Sequence, residues 1–161
     1  MTLAQMINRL RIRLNDPQKI EFSDEELEAY VLDALQAVHA VRIQAKDPKI
    51  VVTATVSSTL PANWAGWVGQ VPLKISENSV SGGPATVRYF RTATLPASGS
   101  SELDVPDCLL PSVLNYAVLQ GRIRLGLDID QEGPLTQKIL QGAAAALGLS
   151  YPKGGQYGAA R

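Results

Sequence analysis

The sequence predicts an α+β chain: two helices, a β-rich segment, two further helices and a short tail. Three observations carry this reading. Apolar residues recur at helical spacing before residue 48 and again after residue 104. β-Branched residues crowd into 50–56 and 86–92. Clusters of Pro, Gly and Ser mark each change of pattern. One domain over 1–149 is expected, with its helical core at 1–48 and 104–149, a β-rich insertion at 49–96 and an arm at 150–161.

Thr2 followed three residues later by Gln5 has the form of a capping box. Leu3, Met6, Ile7, Leu10 and Leu14 then make one helical face, and Asn15-Asp16-Pro17 should stop the helix. Ser23 with Glu26 reads as a second capping box. The helix it opens has Leu27, Tyr30, Val31, Ala34, Leu35, Val38 and Val41 on its apolar side and closes at Asp47-Pro48. A helix of about 23 residues makes a rod of roughly 35 Å. Ile50 to Val56 reads as a strand, and Leu60-Pro61 breaks it. Trp64 to Ser76 holds one or two more extended pieces, with Pro72 at an edge or bulge. Ser81-Gly82-Gly83-Pro84 is a turn before a strand at Thr86 to Thr92, and Ala97 to Ser101 is a flexible connection. Helix resumes at Val105-Pro106-Asp107, with Pro in the first turn. Leu110, Val113, Leu114, Ala117, Val118 and Leu125 form its apolar face, and Gly121 admits a close neighbour. Asp130 is the expected cap of a last helix carried by Leu135, Ile139, Leu140, Ala143, Ala146 and Leu147, with Pro134 in its first turn and Gly148 at its end. The tail beyond Ser150 has no periodicity.

Composition narrows the function. The 161 residues (17.3 kDa) suit one domain that buries a core without disulfides or metals. The chain is 45% hydrophobic, too apolar for a disordered protein. One histidine, His39, and one cysteine, Cys108, exclude a zinc site built from His and Cys and a disulfide framework. Fifteen basic residues balance fifteen acidic ones, against the excess an autonomous DNA binder carries. By segment the balance is uneven: +3 over 1–14, −5 over 15–47, +3 over 48–101, −3 over 102–150 and +2 over 151–161. The first segment has no apolar run of the kind a signal peptide needs, and no apolar stretch approaches the roughly 20 residues of a membrane span. A soluble protein of a reducing compartment is expected.

Candidate chemistry is sparse. Cys108 and His39 would be a nucleophile and its base. Yet Cys108 stands among the apolar residues Leu109 and Leu110, where a buried structural thiol is the ordinary reading. Asp24, Glu25, Glu26 and Glu28 complement a helix dipole, which accounts for them more simply than acid–base catalysis or a metal. Asp128 to Gly133 lacks the third acidic position and the closing Glu of a calcium loop. Gly82-Gly83 precedes a strand, so it is no phosphate loop. Arg9 and Arg13 share one helix face and Arg11 points elsewhere. They read as solvated charge or as contacts with an acidic partner or phosphate. Arg122 and Arg124 stand near a helix C-terminus, where cations are favoured. Trp64 and Trp67 read as packing under a sheet or as interface anchors. Tyr151, Pro152, Lys153, Tyr157 and Arg161 make the tail either an untethered end or an arm that orders on a partner.

Arg11-Ile12-Arg13-Leu14-Asn15-Asp16-Pro17, Phe22-Ser23-Asp24-Glu25-Glu26-Leu27 and Tyr30-Val31-Leu32-Asp33-Ala34-Leu35 resemble the opening of head-to-tail adaptor (connector) proteins of tailed bacteriophages. Leu103-Asp104-Val105-Pro106 leading into Leu114-Asn115-Tyr116-Ala117-Val118 fits the same resemblance. It implies a small four-helix bundle with an antiparallel β-sheet insertion between helices 2 and 3 and an extended C-terminal arm. It also implies a structural role without enzymatic activity or cofactors. Such proteins form a ring of about twelve copies beneath the portal ring, extend the DNA channel and dock tail, nozzle or tail-fibre proteins. The chain would then belong to the virion's head–tail interface and to the host cytoplasm during assembly. The tail at 150–161 would reach along the portal, and DNA passing through the channel would be held only weakly. Segregated charge would supply the unlike faces that a cyclic assembly needs. Two other readings remain: a DNA-binding module using the arginine helix, and a small hydrolase using carboxylates such as Glu25 and Glu28.

Overall fold

A computed structural model describes residues 1–76, 79–126 and 129–148. The expected arm, with Tyr151, Pro152, Lys153, Tyr157 and Arg161, lies outside the described residues, as does Asp128 of the acidic loop. Among the described residues, two helices, antiparallel strands and two further helices follow one another in the α+β order that the sequence predicts.

Helix α1 (Leu3–Leu14) opens on a complete capping box. The Thr2 hydroxyl accepts the Gln5 N–H, and the Gln5 side chain accepts the Thr2 N–H. The helix ends where Asn15 turns left-handed at φ 59°. Helix α2 (Asp24–Gln44) starts from Ser23, whose hydroxyl accepts the Glu26 N–H. Glu26 does not return the bond, which corrects the expected box: its carboxylate accepts from the Tyr30 hydroxyl and pairs with Arg124. Asp47 closes the end of α2 by binding the Arg42 side chain and the Lys49 N–H.

Strands β1 (Val51–Val56), β5 (Ala85–Arg91) and β2 (Trp64–Trp67) form an antiparallel sheet in the order β1-β5-β2. Val51 stands opposite Phe90 and Val56 opposite Ala85, and a bulge at Trp64–Gly66 bends the β2 edge. Strands β3 (Lys74–Ser76) and β4 (Ser79–Ser81) make a separate hairpin. Strand β4 is not legible in the sequence, because Ser79-Val80-Ser81 has only one apolar residue to announce it. In the turn before β5, a Cβ on Gly83 would lie 2.5 Å from the Ser57 carbonyl oxygen, so only glycine lets the chain pass.

Helix α3 (Leu110–Arg124) follows a 3-10 turn at Asp107–Leu109, and Pro111, not Pro106, occupies its first turn. Helix α4 (Glu132–Ala146) starts after a second 3-10 turn, Ile129–Gln131. Asp130 lies within that turn and Gln131 is the cap residue, so the expected cap is displaced by one position. Ala144 takes the buried place expected for Ala146, which faces outward.

Leu3, Met6, Leu10, Leu27, Val31, Val38, Leu109, Val113 and Ala143 pack into one cluster shared by all four helices. Helices α2 and α3 each contact the other three, whereas α1 and α4 hardly touch. The α2–α3 pair is therefore the short diagonal of the packing, and the outer sides of these two helices face opposite ways. Val56, Leu73, Val80 and Val87 form a second, smaller cluster in the β region. Polar contacts tie the two parts together: His39 Nε2 donates to the Arg91 carbonyl (2.7 Å), Arg91 pairs with Asp104 (2.5 Å), and Arg42 donates to the Asp104 carbonyl. Among the described residues no helix is long and apolar enough to cross a membrane.

Candidate functional site

The residues that opened the resemblance are a structural corner. Arg11 is only 3% exposed, and its guanidinium reaches Asp16 (2.7 Å), Asp24 (2.6 Å) and the Phe22 carbonyl (3.0 Å). Arg11, which the helix turns away from the Arg9–Arg13 face, is therefore neither solvated nor available to a partner, which corrects the solvated or partner-contact reading for that residue. Burial pushes the Asp16 carboxyl up, but N–H groups of Glu21, Ile20 and Phe22 and the Arg11 charge outweigh it and hold the group below its ordinary value. Asp24 is held down by hydrogen bonds from Lys19 and Arg11. These groups join α1 to α2.

Arg9 and Arg13 are exposed and one turn apart on α1. They border a groove of about 340 Å³ against α3, whose wall includes Leu110, Pro111 and Leu114. Arg13 also borders a second hollow, of about 360 Å³, where Arg122 and Val118 of α3 face Leu135 and Ile139 of α4. The two hollows share Arg13 and Asn115, so the outer side of α3 is a channel with arginines along it and a mixed floor, in which Leu110, Leu114 and Val118 flank Asn115. Asp107, at its α1 end, is the only acid among the described lining residues. On the outer side of α2, Glu25, Ala29 and Asp33 are exposed at four-residue spacing, with Glu28 half-buried beside them.

Trp64 and Trp67 lie on β2, away from the arginine channel, so the structure does not gather the expected interface residues into one site. Both are half-buried and meet edge to face with centroids 5.4 Å apart. Trp67 also packs edge to face on Tyr89, and the Tyr89 hydroxyl donates to Asn63. The indole N–H of Trp64 is buried without a hydrogen-bond acceptor among the described residues.

Among the described residues no hydrogen bond joins His39 to Cys108, and His39 Nε2 is taken up by the Arg91 carbonyl. The carbonyl it binds can only accept, so His39 carries its proton on Nε2, and burial pushes its basicity below the ordinary imidazole value. Cys108 is exposed, contrary to the buried thiol expected from its neighbours. The helical turn sends Leu109 into the core and leaves the preceding side chain outside. Among the described residues no group of three His, Cys, Asp or Glu side chains is placed to hold a metal. A hollow of about 380 Å³ between α2 and the sheet, lined by Gln36, His39, Ala40, Ile43, Ala65 and Leu95, is not foreshadowed by any motif. The exposed Leu95 is its only sequence signal, and a single surface leucine is common. No protein-family model and no curated protein matches the chain.

Proposed function

We propose that this chain is a structural head-to-tail adaptor of a tailed bacteriophage, about twelve copies of which form a ring beneath the portal. The observation that carries the reading is the order of parts: a helix pair, antiparallel strands and a second helix pair, opened by the Arg11-to-Pro17 and Phe22-to-Leu27 segments. In this reading the helices are a four-helix bundle, the strands are an insertion between helices 2 and 3, and 1–149 is one adaptor domain. The ring extends the DNA channel and docks tail, nozzle or tail-fibre proteins on its far side. Its place is the virion's head–tail interface, reached from the host cytoplasm during assembly. Its work is joining proteins, not transforming a substrate. Residues 150–161 are the portal-binding arm, with Tyr151, Pro152, Lys153, Tyr157 and Arg161 as its contact residues. DNA sliding through the channel is touched only weakly.

The outward arginines Arg9, Arg13 and Arg122 favour a second reading, a DNA-binding module. Zero net charge stands against it. Negative-stain microscopy of the full chain mixed with a candidate portal ring separates the two. Rings seated on the portal are expected for the full chain, and none for a chain cut after residue 149 that stays folded by circular dichroism. Unchanged portal binding by the truncated chain removes the arm's role. Nanomolar, salt-resistant binding to duplex DNA without portal rings replaces the adaptor reading with the second one.

A further inference from the structure

The channel on the outer side of α3 and the stripe on the outer side of α2 are complementary. Arg9, Arg13 and Arg122 make no ion pair with any described residue, although Arg11, Arg42, Arg91 and Arg124 all do. Glu25, Glu28 and Asp33 likewise have no ion pair among the described residues, although Asp24 and Glu26, beside them on α2, do. Cations left unpaired along a partly apolar floor call for an anionic surface with some apolar substance between its charges. The α2 stripe has that composition, with Ala29 between its acids.

We infer that the α3 channel of one copy receives the α2 stripe of a second copy of this chain, with Arg9, Arg13 and Arg122 facing Glu25, Glu28 and Asp33. Glu25 and Asp33 are about 12 Å apart along their helix, and Arg9 and Arg13 about 6 Å, so two acids span the arginine pair. Ala29 presents only a methyl group, which lets α2 approach the channel at the roughly 8–10 Å axis spacing of packed helices. Because the outer sides of α2 and α3 face opposite ways, each copy offers both halves at once. The contact is heterologous: it repeats head to tail and closes into a ring when the rotation per copy permits. The inference rests on the adaptor reading only for that closure; the contact itself is argued from charge and shape.

Sedimentation velocity of the full chain at low ionic strength tests it. Wild-type protein is expected to assemble, and to dissociate as salt rises. The double variants Arg9→Glu/Arg13→Glu and Glu25→Arg/Asp33→Arg should each associate at least about tenfold more weakly, since attraction becomes repulsion at one half of the contact. An equimolar mixture of the two should regain assembly, because each variant then meets a partner of opposite charge at both halves. Ala29→Trp alters no charge and should block assembly by bulk alone. Circular dichroism checks that each variant is folded. Wild type that stays monomeric, variants that assemble as wild type does, or a mixture that stays dissociated would each overturn the inference. In the last case the channel takes some other acidic ligand. Portal-seated rings that survive both charge reversals would remove this contact and leave the adaptor reading standing. Intact self-assembly with no portal binding would do the reverse.

Discussion

Arg9 and Arg11 are two positions apart on α1 and end in opposite environments. One is exposed along the α3 channel, and the other is buried against Asp16, Asp24 and a backbone carbonyl. Helix geometry separated them in the sequence, since Arg9 and Arg13 share a face that Arg11 does not. It did not reveal that Asp16 and Phe22 would fold back to enclose Arg11. His39 illustrates the same limit: one histidine among apolar residues gave no sign that a strand carbonyl would accept a hydrogen bond from its Nε2. Its burial has a consequence in solution. The folded-state value lies below the ordinary 6.5, so the neutral ring's contribution to stability is complete above that pH and is lost as pH falls through the folded value. Asp16, Asp24, Asp47 and Asp104, all held below 3.8, lose theirs only in stronger acid. Urea midpoints measured between about pH 8 and pH 5 should therefore fall for the wild type. They should stay nearly level for His39→Gln, whose amide still donates to the Arg91 carbonyl; equal slopes would refute the assignment.

At the scale of elements, α1 and α3 meet at a glycine. A Cβ on Gly121 would stand 2.6 Å from Leu14 Cδ1, in a contact already closed to solvent. Overpacking costs about 2 kcal/mol, while replacing a helical glycine by alanine contributes about 1 kcal/mol, so Gly121→Ala should lose about 1 kcal/mol net. In a Leu14→Ala background the clash is gone, and the same change should become stabilising. A double-mutant cycle in denaturant reads this reversal, and additive effects would rule out the contact. The glycine's role as a close-approach point was legible from its place on the helix, but the identity of its neighbour was not. Boundaries set by a local side chain, such as Thr2 with Gln5 or the left-handed Asn15, were legible too. Those set by packing were not. Asp130 yields the cap position to Gln131, and Pro106 yields the first turn of α3 to Pro111.

At the scale of the whole molecule, the buried apolar side chains of the described residues form two clusters of unequal size. The helical cluster is shared by four elements, whereas the β cluster rests on Val56, Leu73, Val80 and Val87. Local opening follows buried apolar contact, so native-state hydrogen exchange should find the lowest opening free energies in β3 and β4. The highest are expected in α2 and α3, where Leu27, Val31, Val38 and Val113 are wholly buried. Uniform protection across both cores would contradict this division. The same scale changes the meaning of the charge blocks. Part of the opposition between 1–14 and 15–47 is satisfied inside the chain, by Arg11 with Asp16 and Asp24. What remains includes Arg9 and Arg13 on one side and Glu25, Glu28 and Asp33 on another.

The α+β order, the starts of α1 and α2, the strand-rich middle and the shortage of catalytic side chains follow from the sequence by itself, because periodicity, caps and composition act over a few neighbouring residues. Tertiary structure decided which charges cancel internally, which cysteine face meets solvent, and that α2 and α3 turn their outer sides in opposite directions. Those outcomes depend on residues distant in the chain coming within a few ångströms, as His39 does with Arg91 and Leu14 with Gly121. Burial and pairing are properties of that approach, and no window of sequence contains them.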